Sequence, residues 1–103
     1  MQNIVKEEKD KLKNRIKNFL EKNRISFKET QKEIKVKCKI KSIEITPYEK
    51  IEFELPQNKR IIVKDFVEKI EIYANSKIQI SRSNLLLIDF RIYFEKNKLV
   101  FKF

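Results

Sequence analysis

The sequence contains no glycine and no histidine among its 103 residues. Without glycine there is no phosphate-cradling loop and no dinucleotide fingerprint, because both need backbone that a ligand can approach closely. Without histidine, the usual general base near neutral pH and the commonest zinc ligand are both missing. We therefore predict a protein that is not an enzyme and that uses no cofactor and no metal.

Cysteine and long apolar runs are scarce as well. Cys38 is the single cysteine, so an internal disulfide and a Cys-x-x-Cys metal knuckle are both excluded. No apolar run approaches the roughly 18 residues that span a membrane, and the first residues lack the apolar core of a secretory signal. We expect a single domain over residues 1–103, located in the cytoplasm, with no membrane partner.

Positive charge dominates the composition. There are 25 Lys and Arg residues against 15 Asp and Glu, which leaves a net charge of +10. A positive field of this size favours polyanionic partners such as nucleic acid, although excess lysine also keeps small proteins soluble. The abundance of lysine, isoleucine and asparagine is typical of an AT-rich genome, such as that of a mobile element or virus.

Residues 33–41 alternate apolar and basic side chains with a period of two, which predicts a strand with one apolar and one basic face. The apolar face consists of Ile34, Val36, Cys38 and Ile40. The basic face consists of Lys35, Lys37, Lys39 and Lys41. Their spacing of about 6–7 Å suits a track of nucleic-acid phosphates. The same lysines are also typical of an edge strand protected against aggregation.

Residues 3–22 predict an amphipathic helix. At about 100° per residue, its apolar side chains fall within one arc about 100° wide, the width of a core-facing stripe. They are Val5, Leu12, Ile16, Phe19 and Leu20. Such a stripe with lysine flanks also suits a membrane surface. We expect it to pack on the strands, because the strand that follows has an apolar face that needs a cover.

The basic strand is predicted to form a hairpin with residues 51–55. Its alternation changes phase after residue 40, so a β-bulge at residues 41–42 would keep Ile43 and Ile45 facing inward. A turn at residues 46–49 then leads into the partner strand. In this register Ile45 lies opposite Ile51.

Residues 60–64 predict a short buried strand. The pattern of residues 65–74 is compatible with two structures, a helix and a β-hairpin. Asp65 and Glu68 have the spacing of a helix capping box. The stretch from Ile70 to Ile80 instead alternates around a turn, as a β-hairpin does. We favour the hairpin, with a strand from about Lys69.

The C-terminal residues predict a hairpin with a two-residue turn at Lys96 and Asn97. One face pairs Phe94 with Leu99, Ile92 with Phe101 and Phe90 with Phe103. The other face is partly apolar and carries Leu85, Leu87, Tyr93 and Val100. An apolar surface of this kind indicates either that the sheet curls on itself or that a second subunit covers it. We favour the second subunit and predict a homodimer interface at these four residues.

Together these elements predict an α+β fold, with the N-terminal amphipathic helix packed on one face of a curved antiparallel sheet of about six strands. In a simple meander, the loops at residues 57–60, 75–77 and 96–98 would share one rim with Lys28 and Lys32.

Our functional prediction is a small basic module that binds nucleic acid through the phosphate backbone, without sequence preference. The predicted contacts lie on the basic strand and in the loops, and comprise Lys35, Lys37, Lys39, Lys41, Lys59, Arg60 and Arg82. The alternative is a protein-interaction or homo-oligomerisation module built on the C-terminal hairpin. The lysines would then serve solubility and edge protection.

Two catalytic interpretations are weaker. Glu33 and Lys35 have the Glu-x-Lys spacing of metal-dependent nucleases, but the upstream carboxylate would be Asp10, on the helix. Cys38 lies on the apolar face of its strand and has no histidine to activate it, so we expect a buried, inert thiol.

Overall fold

A computed structural model describes residues 2–46, 48–66, 69–74, 77–81 and 89–103. In chain order, its elements are α1 (Gln2–Lys22), β1 (Lys28–Glu29), β2 (Glu33–Lys37), β3 (Lys39–Thr46), β4 (Tyr48–Glu54), a 3-10 turn (Pro56–Asn58), β5 (Arg60–Phe66), β6 (Lys69–Tyr73), β7 (Lys77–Ser81), β8 (Arg91–Glu95) and β9 (Lys98–Lys102). The fold is α+β, with one helix at the predicted place and antiparallel strands, which confirms the predicted class.

The strands form two antiparallel sheets, where one curved sheet was expected. The first has four strands in the order β1-β2-β9-β8, and the second is a five-stranded meander from β3 to β7. The chain passes between them at Cys38, whose amide donates a hydrogen bond to the carbonyl oxygen of Asn97 at 3.0 Å. The basic run of residues 33–41 is therefore divided between the two sheets.

A single hydrophobic core lies between the sheets. The rings of Phe53 in β4 and Phe94 in β8 contact each other with centroids 5.8 Å apart. The apolar stripe of the helix enters the same core, where the buried side chains are those of Leu12, Ile16, Phe19 and Leu20. The predicted packing of the helix on the strands is confirmed.

Polar contacts hold α1 against one edge of each sheet. Lys13 and Lys17 form ion pairs with Glu29 of β1 at 3.1 and 3.0 Å. The guanidinium of Arg15 donates to the carbonyl oxygen of Gln79 in β7 at 3.3 Å. Because β1 and β7 are edge strands, the helix closes the side of the molecule on which these two edges lie.

The end of α1 is capped without glycine. Arg24 adopts a left-handed conformation with φ 57°, and the amide of Ile25 donates to the carbonyl oxygen of Leu20 at 2.8 Å. The ammonium of Lys59 then binds the carbonyl oxygens of Asn23 and Arg24 at 3.3 and 2.6 Å. A lysine suits this place because the carbonyl end of a helix carries partial negative charge.

Two of the three predicted hairpins are present as expected, and the C-terminal one has the predicted register. Phe94 pairs with Leu99 and Ile92 with Phe101, and Lys96 and Asn97 both have positive φ, as a tight two-residue turn requires. Residues Lys69–Tyr73 form a strand. In the described part of residues 65–74, the structure is therefore the predicted hairpin and not a capped helix. In that hairpin Ile70 pairs with Ile80 and Ile72 with Ile78.

The β3–β4 hairpin differs from the prediction in register and burial. The bulge lies at the predicted place, between Ile40 and Ser42, but Ile51 pairs with Ile43 and not with Ile45. Ile43 and Ile45 are 53% and 77% exposed. They are on the core side of the sheet, since Ile43 is in line with buried Val63, but β3 is an edge strand. Nothing among the described residues covers its far end.

Candidate nucleic-acid interface

The outer face of the four-stranded sheet gathers basic side chains from four strands. Directly paired residues of an antiparallel sheet point to the same face, so the pairings define this surface. We call it the lysine face, and its basic residues are Lys28, Lys35, Lys37, Arg91, Lys98 and Lys102. Glu33 and Glu95 are its two carboxylates, and Tyr93 and Val100 lie between them.

Most of the positive charge on the lysine face has no carboxylate partner. Lys35 forms an ion pair with Glu33 at 3.7 Å, and Arg91 with Asp89 at 3.7 Å. Exposed pairs of this kind contribute only about 0–1 kcal/mol. Within the described part of the chain, the other four lysines form no ion pair. Six cations against two carboxylates leave a surface that attracts anions.

The centre of the lysine face is apolar but covered. Val100 points outward between Lys35 and Tyr93, yet it is only 1% exposed. Val100 therefore offers almost no free area to a second subunit. Of the predicted dimer interface, Tyr93 is half-buried, and Leu85 and Leu87 lie outside the described residues.

The other predicted basic residues lie elsewhere. Lys39 is opposite Glu54 on the five-stranded sheet. Lys41 and Arg60 both bind Glu52, at 4.0 and 3.4 Å. Lys59 caps the helix. Arg82 lies outside the described residues. The structure thus brings Lys35 and Lys37 together on an open cationic surface and gives three of the remaining cations carboxylate neighbours.

The predicted rim of loops is only partly formed. Lys37 and Gln57 line one recess together, and the 96–97 turn is joined to the same end of β2 by the Cys38 amide. Lys32 is at the opposite end of β2, where its carbonyl oxygen accepts from the amide of Phe103 at 2.8 Å. The prediction failed for Lys32 because it assumed one meander, whereas β2 pairs with β9.

Sequence reasoning missed Arg91 and Lys102, and it assigned Lys28 and Lys98 to the rim of loops and not to this face. Lys98, Val100 and Lys102 alternate as Lys35 and Lys37 do, and this pattern was a usable signal. The sequence pattern did not show that β9 lies beside β2, because this pairing joins residues more than 60 positions apart.

A cleft of about 740 Å³ lies between the sheets on the side away from the helix. Its floor is apolar and includes Phe53, Phe90 and Phe94. Glu49 and Asp65, paired directly across two strands, stand at its wall. Asp89 and Arg91 also line the cleft, so the charged residues of its described lining are three carboxylates and one cation. This excess of negative charge disfavours phosphate, unlike the lysine face.

The residues considered for catalysis lie on the lysine face, on the helix and at the junction between the sheets. Glu33 and Lys35 form an ion pair on the lysine face, whereas Asp10 is on the helix, and the described residues contain no group of three His, Cys, Asp or Glu side chains that could hold a metal ion. Cys38 is 2% exposed. Burial raises the pKa of its thiol to about 11, with a hydrogen bond from the Leu99 backbone acting in the opposite direction. The thiol is therefore protonated at neutral pH.

No protein-family model, curated protein or solved structure matches this chain. Among the described residues, no helix has the length and apolar content needed to cross a membrane.

Proposed function

We propose that the chain binds nucleic acid through the phosphate backbone, on the lysine face and without reading bases. The observation that carries this proposal is the charge imbalance on one open sheet surface. Six cations converge there against two carboxylates, and four of the lysines are free of ion pairs within the described chain. Phosphate contacts of this kind fix position and supply affinity but carry no sequence information.

The geometry of the face supports an extended strand as its ligand. Lys35 and Lys37 follow each other on β2 about 6–7 Å apart, and Lys98 and Lys102 continue the array on the adjacent strand. Tyr93, which is half-buried, lies on the same face and is the aromatic side chain there on which we expect a base to stack. Stacking on such a ring tolerates any base, because every base has a π-face.

Binding to single-stranded oligonucleotides at increasing salt tests the proposal. We expect log K to fall with log salt by about 0.7 for each phosphate contact. The double variant Lys37→Gln/Lys98→Gln should reduce that slope by about 1.4. The matched control Lys50→Gln/Lys64→Gln removes two charges from the five-stranded sheet and should leave the slope near the wild-type value. A flat salt dependence, or absence of binding at low salt, would overturn the proposal.

A second candidate function is a protein-interaction module. The sequence prediction placed it on the C-terminal hairpin, whereas the exposed apolar residues lie on the β3–β4 hairpin. Ile43, Ile45 and Tyr48 are 53%, 77% and 47% exposed at one end of the β3–β4 hairpin. β3 is also an edge strand, whose free backbone groups can pair with another strand. Sizing by light scattering, for the wild type and for Ile43→Lys/Ile45→Lys, tests whether this edge joins two copies. A dimer that the variant converts to a monomer would support it, and a monomer in both cases would count against it.

A further inference from the structure

A small recess lies where α1 ends, next to the lysine face. It has a volume of about 190 Å³. The polar side chains that line it are Arg24, Ser26, Lys37, Gln57 and Lys59, and the remainder of the lining is apolar. Three cations therefore converge on one cavity whose described lining contains no carboxylate.

The lining side chains come from three separate parts of the chain. Arg24 and Ser26 follow the helix, Lys37 ends β2, and Gln57 and Lys59 belong to the turn before β5. Arg24 and Gln57 both hold left-handed backbone conformations, with φ 57° and 67°. For residues other than glycine such conformations cost about 1 kcal/mol each, and they bend the two chain segments so that both border the cavity.

Lys59 lines the recess, and its ammonium is held in place at the end of the helix. It already donates to the carbonyl oxygens of Asn23 and Arg24, at 3.3 and 2.6 Å. An ammonium has three protons, so one remains for a ligand. Because the side chain is held before binding, a ligand that meets it loses less conformational entropy in ordering it.

The size and charge of the recess select the ligand. Pockets for whole small molecules measure about 300–1,000 Å³, so this recess suits a group of the size of phosphate and not a complete nucleotide. A terminal phosphate monoester carries about −1.5 to −2 charges at pH 7, whereas each backbone diester carries one. Three cations match the terminal group better than they match a diester.

We propose that this recess binds the terminal phosphate of a nucleic-acid strand that lies on the lysine face. Lys37 connects the two surfaces, since it faces Lys98 on the lysine face and also lines the recess. The inference rests on the proposed function and adds to it: the protein distinguishes phosphorylated from unphosphorylated strand ends. Free inorganic phosphate has the same chemistry, so the test separates the two sources.

The experiment compares oligonucleotides of one sequence that carry a 5′-phosphate, a 3′-phosphate or no terminal phosphate. We expect one phosphorylated end to bind about tenfold more tightly than the unphosphorylated strand, the gain of one charge-assisted hydrogen bond. Arg24→Gln should reduce that gain to about twofold or less, and Ser26→Asp, which places a carboxylate at the recess, should abolish it. Lys22→Gln removes one exposed charge near the helix end without lining the recess, and should retain the tenfold preference.

The outcomes separate the two proposals. If all three strands bind equally with a steep salt dependence, the recess proposal is overturned while the proposed function stands. If no strand binds at low salt, both are overturned. A parallel NMR titration with inorganic phosphate then identifies the source: saturating shifts of the Arg24, Ser26 and Gln57 amides without oligonucleotide binding would mark a free-phosphate site and contradict the strand-end proposal.

Discussion

The outer faces of the two sheets have similar numbers of basic residues but differ in how many carboxylates lie beside them. On the five-stranded sheet, Glu54 lies between Lys39 and Arg60 in one row. In another row, Glu44 and Glu71 flank the pair Lys50 and Lys64, and Glu44 is 3.8 Å from Lys50. On the four-stranded sheet, the row that contains Lys28 and Lys35 has no carboxylate, and the rows on either side of it have one carboxylate each. The comparison shows that strand pairing, and not composition, determines which lysines are available to an anion.

The five-stranded face also uses its charges in a buried network. Glu71 is 3% exposed although it lies on the outer face. It accepts hydrogen bonds from the hydroxyl of Tyr73 and from Nε2 of Gln79, the latter at 2.8 Å, and it pairs with Lys69 at 3.1 Å. Polar groups that satisfy one another in this way stabilise the sheet, so on this face the charges have a structural role.

The largest effect should follow from breaking that network. Glu71→Ala removes the acceptor for Tyr73 and Gln79 and the partner of Lys69, and should lower the free energy of unfolding by about 2–3 kcal/mol. Urea denaturation measures this. The control is Glu44→Ala, because Glu44 has a 62% exposed side chain; a change above about 0.5 kcal/mol there would contradict the distinction between buried and exposed charges.

The free energy of unfolding should decrease at alkaline pH because of the buried Cys38 thiol at the junction between the sheets. Cys38 keeps its proton in the folded chain until its pKa of about 11, but releases it near 9 when unfolded. The folded chain binds more protons in that window, so stability falls as pH rises through it, by about 2–3 kcal/mol in total. Cys38→Ala lacks this contribution, whereas both proteins share the titration of the lysines. The difference between the two unfolding free energies should therefore shift between about pH 8 and pH 11, and a constant difference would refute the buried-thiol account.

A lysine-to-glutamate substitution should have opposite effects on stability on the outer faces of the two sheets. Lys28→Glu places a carboxylate opposite Lys35 and should stabilise the chain by about 0.5 kcal/mol, whereas Lys39→Glu places one opposite Glu54 and should destabilise it by a similar amount. Thermal unfolding at low and high salt measures both, and salt should reduce both changes. Changes of the same sign would mean that the lysine face is not charge-imbalanced.

The smallest effect concerns the attachment of the helix to β1. Lys17 and Lys13 hold the pKa of Glu29 below its usual range. A lowered pKa contributes stability above the unfolded value of about 4.5, and that contribution is lost as pH falls through the folded value. Glu29→Gln should therefore be slightly less stable than wild type at neutral pH and equal to it in acid. The same deficit at every pH would show that the loss is one of packing.

Local patterns predicted the elements of this fold, and long-range pairing limited the rest. Three features were predicted correctly because each depends on residues close in sequence: the apolar stripe of the helix, the bulge after Ile40 and the C-terminal hairpin. The division of residues 33–41 at Cys38 was not readable, because it follows from the pairing of β2 with β9. For the same reason, the sequence prediction put Lys35 and Lys37 correctly on a basic face but grouped them with Lys39 and Lys41. It placed Lys98 in a rim of loops and omitted Lys102.

Lysine acetylation with and without bound oligonucleotide, measured by mass spectrometry, shows directly whether nucleic acid lies on the lysine face. We expect nucleic acid to protect Lys35, Lys37, Lys98 and Lys102, while Lys39, Lys50 and Lys64 react as fast as in the free protein. Equal protection on both sheets, or protection confined to the five-stranded sheet, would contradict this expectation.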